Sequence, residues 1–130
     1  MMRKSSLNVV STYDKDHIAQ FEVMGRCLVI RLQRDLDHHN ALVIRDKSDR
    51  LIEKKNIKNI IFDFESSSFM DSSGIGVIMG RYKQVTFTGG KVAVTNTNTS
   101  IDRIFRLSGL FKIIRRYKTV NEALEDLKEI

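Results

Sequence analysis

Ser66-Ser67-Ser68-Phe69-Met70-Asp71-Ser72-Ser73-Gly74-Ile75-Gly76-Val77-Ile78-Met79-Gly80-Arg81-Tyr82 follows the apolar run Ile60-Ile61-Phe62. It has the pattern of a strand's exit, an exposed loop and the opening turns of a helix. After Asp71 the apolar positions Ile75, Ile78, Met79, Tyr82 and Val85 fall on one helical face, which predicts a helix from about Ser72 to Phe87 with Asp71 as its N-cap. The first N–H groups of such a helix have no partner within it, so a hydroxyl pair directly after the capping acid is a place where a phosphate could be held. Gly74, Gly76 and Gly80 lie inside the predicted helix, each at a cost of about 1 kcal/mol relative to alanine. Gly76 and Gly80, one turn apart, are expected to let the helix backbone approach a sheet or a partner closely, and Gly74 to give access to the helix N-terminus.

Four readings compete here: a nucleophile, a phosphate-cradling loop, plain helix capping and a modification switch. A nucleophilic serine needs a base within hydrogen-bond reach and an oxyanion hole, and the G-x-S-x-G elbow is absent. A phosphate-cradling loop is absent too, because Gly89-Gly90-Lys91 lacks the preceding glycine spacing and the following Ser or Thr, and fits a turn before a strand. There remain plain helix capping and a modification switch. A phosphate on Ser72 would bring about −1.5 to −2 charges beside Asp71. It would repel a partner covering that surface, while the helix N-terminus would keep the modified chain folded.

Outward from this stretch the chain reads as one α/β domain. Residues 1–15 are polar without a sustained period and are expected to be a mobile extension, with the domain spanning 16–130. A strand over Ile18–Val23, a turn at Met24-Gly25-Arg26 and the apolar strand Cys27–Leu32 predict an opening β-hairpin. Asp37 or Asn40 caps a helix with Ala41, Ile44, Leu51 and Ile52 inward, and Asp35 and Asp37 are expected to shape a loop at the same end of the sheet as Ser72. The run Ile57–Phe64 is too uniformly apolar for a one-sided strand and predicts the central one. Its Asp63 is expected to be satisfied by loop amides at the strand's open end. Lys91–Thr95 predicts a further strand. Thr99 with Asp102 caps a helix stopped by Gly109, and Phe111–Tyr117 predicts a last, edge strand. Thr119-Val120-Asn121-Glu122 is a capping-box match that opens a C-terminal helix. Alternating helices and strands around a mixed sheet are the expected architecture.

Composition narrows the function. With 42% hydrophobic and 29% charged residues in 130, and no apolar run near the roughly 20 residues that cross a bilayer, a soluble, cytoplasmic protein without a secretion signal is expected. The single cysteine, Cys27, is read as a small buried side chain without chemistry. His38 and His39 invite a metal, yet neighbours on a helix point about 100° apart and no third ligand is near, so neither metal nor cofactor is expected. The net charge of +6 leaves a nucleic-acid partner open, but Lys112, Arg115, Arg116 and Lys118 have no interleaved aromatic platform, which weighs against it.

The run Phe69–Gln84 closely resembles the signature of bacterial anti-sigma-factor antagonists, the STAS domains. Leu36-Asp37-His38-His39 and Ser108-Gly109-Leu110-Phe111-Lys112-Ile113-Ile114 extend the resemblance, from about His17 onward, to the sporulation branch that releases sigma-F from its anti-sigma kinase. The resemblance implies a non-enzymatic phosphoprotein. Its unphosphorylated form binds an anti-sigma serine kinase and frees a sigma factor, the kinase phosphorylates Ser72, and a serine phosphatase resets the switch. It implies a partner-binding surface of Asp37, His38, His39, Asp71, Ser72, Ser73 and Gly74, and a general-stress antagonist of the same family is the alternative. Two departures stand out: Arg34, where relatives commonly have glycine, and a basic charge balance where such proteins tend to be acidic.

Overall fold

The computed structural model describes residues 9–128. Over that span the chain forms β1 (Val9–Tyr13), β2 (Ala19–Met24), β3 (Cys27–Leu32), α1 (His38–Lys54), β4 (Asn59–Asp63), α2 (Ser72–Thr86), β5 (Val92–Thr95) and α3 (Thr99–Leu107). A 3₁₀ turn (Leu110–Lys112), β6 (Arg115–Tyr117) and α4 (Val120–Leu127) complete it. The six strands make one mixed sheet in the order β1-β2-β3-β4-β5-β6, with β1, β2 and β3 antiparallel and β3 to β6 parallel.

Alternation along the inner strands decides which helix lies on which face. Leu28, Ile30, Ile60, Phe62, Val92 and Val94 point to one side, where they meet Ile44 and Ile52 of α1, Ile78 and Val85 of α2, and Ile101 and Phe105 of α3. Val29, Ile61 and Ala93 form a row on the other side under Val120, Ala123 and Leu127 of α4. β4 is buried along its whole length, as its unbroken apolar run requires. Because α1, α2 and α3 each leave the C-terminal end of a parallel strand and lie on the same face, their N-termini share one end of the sheet.

Several expectations are corrected. The second half of the expected extension is a strand: Val9–Tyr13 pairs antiparallel with Met24–Gln20. Its residues are mostly exposed, so the strand is held by its ladder to β2 and carries no burial period to read. Residues 1–8 of that extension lie outside the described residues. The expected strand over Phe111–Tyr117 is shortened to Arg115–Tyr117. Gly109 takes a left-handed φ of 77°, Ile114 N–H donates to the Leu110 carbonyl at 2.8 Å, and Leu110 and Ile114 are buried four residues apart on the turn. β6 is at the sheet edge, as expected. The α3 cap is Asn98, whose side chain accepts from Ile101 N–H at 2.8 Å, because Asp102 is engaged by Thr97 Oγ1 at 2.5 Å and by Arg116 at 3.0 Å. Thr119 caps α4 as expected, with Glu122 N–H donating to Thr119 Oγ1 at 3.1 Å, but the reciprocal half of the capping box, from Thr119 N–H to the Glu122 side chain, is not formed among the described residues.

Candidate functional site

Main-chain bonding draws the loops before α1 and α2 together. Leu36 and Met70 form a parallel bridge in which Leu36 N–H donates to the Phe69 carbonyl at 3.0 Å and Asp71 N–H to the Leu36 carbonyl at 3.3 Å. The Asp35 carboxylate reinforces it by accepting from the Ser68 and Phe69 amides, each at 3.1 Å. Asn98, the α3 cap, donates to the Ser68 carbonyl at 3.1 Å, which brings the third helix start to the same place. Asp35 and Asp37 thus shape the loop beside Ser72, as expected. Of the two α1 cap candidates Asp37 is the cap, accepting from Asn40 N–H at 2.9 Å, while Asn40 turns its side-chain amide to the Asp35 carbonyl at 2.7 Å.

Asp71 caps α2, its carboxylate accepting from Ser73 N–H at 2.8 Å. Ser72 is the first residue of the helix, exposed, and its hydroxyl makes no hydrogen bond among the described residues. Ser73 is half-buried, and its hydroxyl lies 3.2 Å from His38 Nδ1 across the gap between the helices. His38 and His39 open α1 and are both exposed, and Phe69 adds an exposed aromatic ring to the same loop, 49% accessible. No cluster of three metal-ligating side chains occurs among the described residues.

The glycine expectations are reversed. A Cβ on Gly74 would lie 2.4 Å from Met70 Cγ and 2.9 Å from both the Leu36 carbonyl oxygen and Leu36 Cγ, so Gly74 is the point of close approach. It presses α2 against the bridge that couples the two caps. Around Gly76 and Gly80 a Cβ would meet nothing within 4 Å. They instead line an open groove of about 260 Å³ between α1 and α2, with Ala41 and Leu42 opposite and His38 and Ser73 at the end nearest Ser72. Arg81 also lines it. Its guanidinium joins the helices by donating to the Arg45 carbonyl and Ser48 Oγ, both at 3.2 Å, and by pairing with Asp49 at 2.9 Å. Burial lowers the Arg81 pKa against the opposing pull of Asp49.

Asp63 is buried, and of its partners one is the expected loop amide, the side chain of Asn96, while the others come from the neighbouring strands. Its carboxylate accepts from Thr95 Oγ1 at 2.8 Å and Asn96 Nδ2 at 2.6 Å, with Arg31 at 3.7 Å. All are neighbours on adjacent strands or just beyond them, because the parallel register places Arg31, Asp63 and Thr95 in one row. Of the basic residues near the last strand, Arg115 pairs with Asp126 and Arg116 with Asp102. Phe69, Arg81 and the His38–Ser73 contact escaped the sequence reading. An aromatic residue inside a serine-rich loop was the available signal for Phe69, and pairings of residues more than 30 apart left none.

An α/β sheet that gathers three helix starts around a capped, exposed serine has the form of a regulatory binding module. Residues 19–123 match the STAS domain, and the chain belongs to that family. It is 39% identical over 103 residues to the anti-sigma F factor antagonist of Paenibacillus polymyxa, covering 79% of this chain and 88% of that one. Among solved structures it is similar to the anti-sigma factor antagonist SpoIIAA in its unphosphorylated form, with a TM-score of 0.71, 33% identity, and coverage of 86% of this chain and 99% of that one. The Bacillus cell fate determinant SpoIIAA in the phosphorylated form superposes with a TM-score of 0.70 at 33% identity, over 85% and 99%.

Proposed function

We propose that this protein is an anti-anti-sigma factor of the sporulation type: its unphosphorylated form binds an anti-sigma serine kinase and so frees a sigma factor. Phosphorylation at Ser72 switches it off, and a serine phosphatase restores it. The protein acts in the cytoplasm as a binding partner and performs no catalysis of its own. The observation that carries this reading is the exposed hydroxyl of Ser72, unbonded among the described residues, at the first position of α2 beside the capping carboxylate of Asp71. Its likeness to relatives named anti-sigma F factor antagonists supports the sporulation branch over the general-stress one.

The switch follows from electrostatics. A phosphate on Ser72 adds about −1.5 to −2 charges, which the N-terminal end of α2 tolerates and even favours by roughly 0.3–1 kcal/mol. The fold therefore survives modification. A partner covering Asp37, His38, His39, Asp71, Ser72, Ser73 and Gly74 has to desolvate that charge next to Asp71, which costs it binding energy. In the test, the protein is incubated with a candidate anti-sigma serine kinase and ATP, and the modified residue is located by mass spectrometry. One phosphate on Ser72 is expected, with none on Ser72→Ala, and Ser72→Asp should bind the kinase at least about tenfold more weakly at undiminished thermal stability. A phosphate located elsewhere, or unchanged affinity of Ser72→Asp, sinks the proposal. Within the described residues no helix is long and apolar enough to cross a membrane.

A further inference from the structure

Two serines stand side by side at the start of α2, and a kinase must choose between hydroxyls one residue apart. Ser72 is exposed and its hydroxyl has no partner among the described residues, whereas Ser73 is held at three points. Its amide donates to Asp71 Oδ1 at 2.8 Å, its hydroxyl faces His38 Nδ1 at 3.2 Å, and the next residue, Gly74, is wedged against Met70 and the Leu36 carbonyl. His38 is itself held in place through its main chain. It is the first residue of α1, directly after the cap Asp37, and the Leu36–Met70 bridge ties that helix start to the one bearing Ser73.

From this geometry we infer that His38 is a specificity-determining residue, which withholds Ser73 from phosphoryl transfer and so directs the phosphate to Ser72. The inference rests on the proposed phosphorylation. In the transfer the serine oxygen forms a bond to the γ-phosphorus of ATP, the bond from that phosphorus to the ADP oxygen breaks, and the hydroxyl proton leaves to a base of the kinase. The acceptor oxygen needs a clear line of approach to phosphorus and a proton that the base can reach. At Ser73 the imidazole occupies one side of the oxygen. In the Nε2–H tautomer Nδ1 accepts a hydrogen bond from the hydroxyl and turns its proton away from the kinase's base, and in the Nδ1–H form the ring donates to the oxygen and occupies one of its two lone pairs. Either arrangement narrows the directions from which Ser73 can be aligned with phosphorus and the kinase's base. Ser72 has no such restraint among the described residues.

The experiment compares wild type, His38→Ala and His38→Asn, each incubated with the anti-sigma kinase and ATP, and reads the ratio of phosphate on Ser73 to phosphate on Ser72 by tandem mass spectrometry. Because both sites share one encounter with the kinase, the ratio cancels any change in docking affinity. Wild type is expected to carry phosphate on Ser72 almost alone. His38→Ala should raise the Ser73 share about tenfold, the rate change that one lost hydrogen bond produces, and His38→Asn, whose amide can stand where Nδ1 stood, should bring it back towards wild type. An unchanged ratio in His38→Ala overturns the inference and leaves burial and backbone capping as the reason for Ser73's silence. Failure of His38→Ala to take phosphate at either serine, with the kinase in saturating excess, overturns it too, because His38 would then be required for transfer at Ser72 instead of withholding Ser73. If wild type itself takes no phosphate, the proposed function fails, and this inference with it.

Discussion

Replacing Gly74 or Gly76 by alanine adds the same methyl group to the same helix two residues apart, and the two changes should have opposite signs. At Gly76 the new Cβ meets nothing within 4 Å, so only the helix preference for alanine remains, worth up to about 1 kcal/mol in favour of the folded state. At Gly74 the methyl would lie 2.4 Å from Met70 Cγ and 2.9 Å from the Leu36 carbonyl oxygen. Met70 and Leu36 are both fully buried and joined in the bridge between the two caps, so neither can yield cheaply. Overpacking of this kind costs about 1–3 kcal/mol, and contact with backbone places Gly74→Ala near the upper end, a net loss of about 2 kcal/mol. The two variants should therefore differ by roughly 3 kcal/mol. With a urea slope of about 1–3 kcal/mol/M, their unfolding midpoints should separate by roughly 1–3 M, Gly76→Ala above wild type and Gly74→Ala below it. Equilibrium urea titrations followed by circular dichroism measure this directly. A Gly74→Ala variant as stable as Gly76→Ala would refute the assignment of Gly74 as the contact point and of Gly76 as groove lining.

Two further expectations concern residues away from the serines. Burial pushes the Asp14 pKa up, but the backbone N–H groups of Ile18, Ala19 and Asp16 outweigh it and hold the carboxyl below its ordinary value. A carboxylate depressed in the folded state stabilises above its unfolded pKa, near 4, and loses that contribution as pH falls through the folded value. Asp14→Ala strands the buried Ala19 N–H, now bonded at 2.8 Å, and should cost about 1–3 kcal/mol at pH 7. Its deficit relative to wild type should shrink below pH of about 4, and a gap that stays constant from pH 7 to pH 3 would count against the carboxylate's role. Cys27, expected as a buried side chain, is half-buried at the start of β3, yet burial still pushes its thiol up to about 12, so at pH 8 iodoacetamide should label the folded protein more slowly than the urea-unfolded chain, by up to about 10³-fold, and equal rates would overturn that placement.

Much of the architecture is visible in local pattern because the signals are local. The apolar run Cys27–Leu32, the unbroken apolar run before Asp63, the helical spacing after Asp71 and the Thr119–Glu122 capping pattern each state their element within a few residues. Elements held by partners distant in sequence are not visible this way. β1 exists through its ladder to β2, and the apolar residues after Gly109 turn as a 3₁₀ segment because Leu110 and Ile114 are buried on one side of it. Cap choice is intermediate: several residues around each helix start have suitable side chains, and competing bonds, such as those of Asp102 to Thr97 and Arg116, decide which one serves.

At the serines the division is sharper. The order Asp71-Ser72-Ser73 determines by itself that an acid caps the helix and that a hydroxyl follows at its first position, because capping depends on residues only two or three apart. Which serine stays free, which glycine is pressed against a neighbour and what faces the groove were decided only when Leu36 met Met70 and the two helix starts came side by side. Those contacts join residues more than thirty positions apart, and a short-range pattern carries no information about which side chains a folded sheet will bring within 3 Å of each other.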